Sequence, residues 1–106
     1  MAYVEKEIVD NNIVIKFILS DGIDIKISNT PAEKWIRLAE QCQNSEMIYI
    51  EYKSDGDDMW ITGSNNIRFI KHRTRINEET YLRSSLPADQ CVKLFKDAAN
   101  LTLKNE

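Results

Sequence analysis

Residues 12–28 read NIVIKFILSDGIDIKIS, and residues 30–33, TPAE, follow almost at once. β-Branched residues alternate with others on both sides of Asp21-Gly22, the pattern of a β-hairpin. The register can be argued from the apolar face. A two-residue Asp-Gly turn pairs Ile18 with Ile25 and sets the Ile13, Ile15, Phe17, Leu19 face against Asp24 and Lys26. A three-residue loop of Ser20, Asp21 and Gly22, with Gly22 left-handed as a G1 bulge, pairs Leu19 with Ile23, Phe17 with Ile25 and Ile15 with Ile27. Only the second keeps the apolar residues together, and it is the register expected.

Immediately downstream, Thr30, Pro31 and Glu33 form a capping box with Pro at the first helical position. Ala32, Trp35, Ile36, Ala39 and Cys42 then recur at three- and four-residue steps, which predicts a helix over 31–43 with Trp35 as a core anchor. Working outward, residues 3–9 form a strand that is polar in its middle and so belongs at an edge. Residues 47–53, 58–63, 67–75 and 79–84 read as further strands separated by turns. In 47–53, Ile48, Ile50 and Tyr52 share one face and Tyr49, Glu51 and Lys53 the other. A second helix spans 87–103, with Ala88, Cys91, Val92, Phe95, Ala98, Ala99 and Thr102 on one stripe.

The fold class expected is therefore α+β, with an antiparallel sheet of about six or seven strands and the helices 31–43 and 87–103 on one face. The two helix starts, from Pro31 and from Pro87, share Pro, Ala and a Leu seven residues on, at a spacing of 56 residues. Strands followed by a helix, given twice, suggest a β-β-β-α repeat. This layout resembles that of the PUR and Whirly single-strand-binding folds and, in one copy, of a transcriptional coactivator family. The resemblance implies single-stranded nucleic acid as a ligand class.

With 106 residues, 42% apolar and 29% charged, the chain is one globular domain over 1–106 that can fold without a disulfide or a metal. The opening residues lack the basic end and apolar core of a signal peptide and no apolar run approaches a membrane span, so a cytoplasmic protein with no membrane partner is expected. Cys42 and Cys91 stand at no metal-ligand spacing and are expected as partly buried, reduced core thiols on the two helices.

Catalytic chemistry finds little footing. There is one histidine, no Gly-x-Ser-x-Gly elbow, no Cys-x-x-Cys and no phosphate-cradling glycine loop, so neither an enzyme nor a cofactor is expected. His72 reads as a strand histidine partly packed against the sheet. The run Asp55, Gly56, Asp57, Asp58 lacks the frame and terminal Glu of a calcium loop and reads as a turn.

Charge is more informative. The net charge of −3 hides a split, with residues 1–66 at −6 and residues 67–106 at +3. Arg68, Lys71, Arg73 and Arg75 lie in an acid-free stretch from 67 to 76. Strand alternation puts Phe69, Lys71, Arg73 and Arg75 on one face and Arg68, Ile70, His72 and Thr74 on the other. Arg83 on the next strand, with Trp60 or Tyr49 from earlier ones, can extend the first face into a surface that tracks phosphates and stacks bases. The function expected is a small non-enzymatic protein that binds single-stranded nucleic acid through Arg68, Phe69, Lys71, Arg73, Arg75 and Arg83. The rival is a protein-binding module or inhibitor, such as a phage or mobile-element accessory factor. It would dock through acidic residues including Glu5, Glu7, Asp10, Glu51, Asp55, Asp57 and Asp58. Homodimerisation through an exposed strand edge is compatible with either reading.

Overall fold

The computed structural model describes residues 2–19, 22, 24–43, 48–53, 57–64, 66–73 and 81–104. The described strands are β1 (Tyr3–Val9), β2 (Asn12–Ile18), β3 (Asp24–Ser28), β4 (Ile48–Tyr52), β5 (Asp58–Ser64), β6 (Ile67–Arg73) and β7 (Tyr81–Pro87). Helix α1 (Ala32–Gln43) follows β3 and α2 (Ala88–Leu103) follows β7. The fold is α+β, and its strands form two antiparallel sheets rather than one, ordered β1-β2-β3 and β4-β5-β6-β7. Each sheet is a meander that ends in a helix, and the second has one strand more than the first. The two sheets are tied where Asp57 N–H donates to Lys26 O at 2.9 Å and Lys26 N–H donates to the Asp57 carboxylate at 3.0 Å.

The hairpin register is the one the apolar pattern demands. Ile15 pairs with Ile27 and Phe17 with Ile25, Gly22 N–H donates to Leu19 O at 2.9 Å, and Gly22 has φ +81°. That left-handed backbone is cheap only for glycine. Edge strand β1 joins β2 through Asp10 and Asn11, at φ 50° and 66°, a two-residue turn whose positive angles suit the twist of the ribbon.

Both helices pack against each other and onto the inner faces of the sheets. Trp35 is fully buried, stacked on Phe95 with ring centroids 5.9 Å apart and tilted against Phe17 at 5.3 Å, so it is the core anchor expected. The buried stripe of α1 runs through Trp35, Leu38, Ala39 and Cys42, while Ile36 is exposed. The stripe is thus rotated by one flank, so Leu38 takes the place expected for Ile36. The Thr30 hydroxyl, expected to cap α1, instead shares a hydrogen bond with the Tyr52 hydroxyl at 2.5 Å. This bond ties the helix start to β4. Strand β7 runs three residues past the expected end at 84, because Ser85, Leu86 and Pro87 pair with Phe69, Arg68 and Ile67.

Cys42 and Cys91 are free thiols, fully buried, with sulfurs 3.7 Å apart where α1 ends and α2 begins. The hydrogen bond between the two sulfurs, together with burial, pushes the Cys91 thiol far above the ordinary thiol range. Among the described residues no helix is long and apolar enough to cross a membrane.

Candidate nucleic-acid interface on the outer sheet face

Pleating divides the four-stranded sheet into two chemically opposite faces. Ile48, Ile50, Met59, Ile61, Arg68, Ile70, His72, Ser84 and Leu86 are buried on the helix side. The other face is built in cross-strand rows. One row runs Tyr49, Thr62, Phe69, Ser85, and the next runs Glu51, Trp60, Lys71, Arg83. Directly opposed side chains in such rows lie within contact range. Accordingly, Trp60 Nε1–H donates to a carboxylate oxygen of the opposed Glu51 at 2.7 Å, and the long Arg83 side chain reaches diagonally between rows to place its guanidinium over the Phe69 ring, 4.4 Å from its centroid.

The rows line a cavity of about 590 Å³, open to solvent, formed by Tyr49, Trp60, Thr62, Phe69, Lys71 and Arg83. Its origin is a size difference. Thr62 is a small side chain flanked across the strands by Tyr49 and Phe69 and along its own strand by Trp60, so it forms a floor between aromatic walls. The volume lies in the range of ligand-binding cavities, and the donors on its rim are cationic. Tyr49, at 68% exposure, is a large aromatic left open to solvent.

The residues expected to bind are thereby sorted. Phe69, Lys71 and Arg83 meet in the cavity, and both Tyr49 and Trp60, expected as alternatives, join them. Arg73 stands on the same strand face, but its guanidinium donates to the buried Asp58 carboxylate at 2.6 Å, so much of its charge is already balanced. Arg75 lies outside the described residues.

Arg68 is a correction: it is fully buried on the helix side and is no part of the outer surface. Its Nε and Nη2 donate to Cys42 O at 3.1 and 2.9 Å, and its Nη1 donates to Ile67 O at 2.9 Å. Cys42 O belongs to the last turn of α1, which has no basic residue of its own. Arg68 therefore supplies the cation that a helix C-terminus favours. Alternation already placed it beside Ile70, and the cation-free end of α1 is the signal that explains why it can stay there.

The acidic surface is smaller than the composition suggested. Asp57 and Asp58 are buried, one holding Lys26 N–H and the other Arg73, while Asp55 lies outside the described residues. Glu5, Asp10 and Glu51 are exposed and Glu7 is half-buried. His72 is fully buried on the helix side, more completely than the partial packing expected of it. Among the described residues no three His, Cys, Asp or Glu side chains come together as a metal site.

The chain matches no protein-family model, no curated protein and no solved structure.

Proposed function

We propose that this protein binds single-stranded nucleic acid on the outer face of its four-stranded sheet. One observation carries the reading: three aromatic rings, Tyr49, Trp60 and Phe69, share a solvent-open cavity with the cations Lys71 and Arg83. Bases stack on aromatic faces at about 1–3 kcal/mol each by alanine substitution, and phosphates pair with the cations. The guanidinium over Phe69 adds a planar, charged surface that can serve both partners. A single strand fits better than a duplex, because only unpaired bases can turn their faces to the rings.

The test is anisotropy of a fluorescently labelled eight-nucleotide strand at low salt. Changing Lys71 and Arg83 together to Glu is expected to weaken binding by about a hundredfold or more, since each contact to a phosphate is lost and replaced by repulsion. Thr62→Trp, which raises the floor of the cavity, is expected to weaken it by at least about tenfold while circular dichroism stays that of the native fold. Wild-type protein that leaves the oligonucleotide free, or variants that bind within twofold of it, would sink the reading.

A further inference from the structure

The row Glu51, Trp60, Lys71, Arg83 has a direction. A carboxylate stands at β4, an indole at β5, and cations at β6 and β7. The Glu51–Trp60 hydrogen bond at 2.7 Å uses one carboxylate oxygen and fixes the indole edge beside it. Glu51 is exposed at this edge of the cavity, and its negative charge is out of place on a surface that serves only to attract phosphate. Resting on the nucleic-acid reading, we propose that Glu51 is a specificity-determining residue that selects guanine in the position over Trp60.

The argument is one of donors and acceptors. Lys and Arg side chains only donate, so the phosphate belongs at Lys71 and Arg83. That orientation turns the base toward Glu51, and an ionised carboxylate only accepts. Guanine offers two adjacent donors on its Watson–Crick edge, the ring N1–H and the exocyclic amino group. Adenine and cytosine each offer an amino group beside a ring nitrogen acceptor, whose lone pair the carboxylate repels. Uracil and thymine flank their single N–H with two carbonyl oxygens. Guanine alone meets the carboxylate without an opposed acceptor.

The experiment is a competition series with seven-nucleotide strands of thymine carrying one central guanine, inosine, adenine, cytosine or thymine. Guanine is expected to bind about tenfold more tightly than thymine, the lower range for a paired set of base contacts. Inosine, which lacks the exocyclic amino group, should fall between them. Glu51→Gln keeps a carbonyl oxygen for the Trp60 N–H and removes the charge, and it should bring the five strands to within about twofold of one another while binding persists. Equal binding of all five by the wild type, or a guanine preference that survives Glu51→Gln, overturns the assignment and leaves the nucleic-acid reading standing. If none of the strands binds, both fall.

Discussion

Arg68 uses a helix end as its counter-charge. Its guanidinium makes two bonds to Cys42 O and one to Ile67 O in a fully buried position, beside the two thiols where α1 and α2 meet. Removing it leaves a buried carbonyl unsatisfied and opens a cavity. Arg68→Ala is therefore expected to cost roughly 3–5 kcal/mol in urea unfolding, and Arg68→Met, which keeps most of the volume, clearly less. Arg68→Met should bind the labelled oligonucleotide as wild type does, because the residue is screened from the outer face by the sheet itself. A loss of binding in folded Arg68→Met would contradict that separation. At this scale the sequence was legible where alternation was followed to its end. Phe69 and Lys71 share the cavity side of β6 by parity, and parity also sets Arg68 inside. The charge of Arg68 masked its position, because its partner is a backbone carbonyl of a distant helix that no local pattern reveals. The Asp58–Arg73 pair was hidden for the same reason, being a cross-strand contact between β5 and β6.

Strand β5 contributes both the floor of the cavity and the tightest backbone approach in its neighbourhood. Gly63 has φ +151°, and a Cβ added there would stand 2.2 Å from Ile67 O, a backbone atom that cannot move without dragging the start of β6. Gly63→Ala is expected to destabilise the protein by about 2–4 kcal/mol, combining backbone strain with a forced shift of the β5-β6 pair. Its unfolding midpoint in urea measures this, and a change under about 0.5 kcal/mol would show that the strand relaxes freely. Because Thr62 sits beside Gly63, the distortion should also reach the cavity floor. Register was readable from residues 12–28, where a slip of one residue exposes the apolar face, and the two faces of the strand in 47–53 were readable from its alternation. The far end of β7 was not. Ser85 and Pro87 carry no strand propensity, and their extension is imposed by pairing with β6. The partition into two sheets was equally invisible, since strand pairing between β3 and β4 is a matter of long-range geometry and not of local pattern.

Across the whole molecule, a net charge of −3 would repel an anionic polymer if charge acted only as a sum. Screening makes it act locally: at physiological salt charges beyond about 8 Å contribute little, so on the proposed reading a bound strand would respond to Lys71 and Arg83 rather than to the sum of the charges. Part of the acidic charge is also internal, with Asp57 binding Lys26 N–H and Asp58 binding Arg73. These two limits fix the expected salt dependence. With two cations at the cavity, the logarithm of the binding constant should fall with the logarithm of salt concentration at a slope of about −1.4, taking about −0.7 per phosphate contact for a single strand. Lys71→Gln should bring the slope to about −0.7, since one contact remains. A surface dominated by the total negative charge would behave in the opposite way, with added salt relieving repulsion and binding rising. A slope measured from 20 to 200 mM salt by anisotropy therefore separates local from global electrostatics, and a positive slope would place the contact elsewhere than on the Lys71, Arg83 rim.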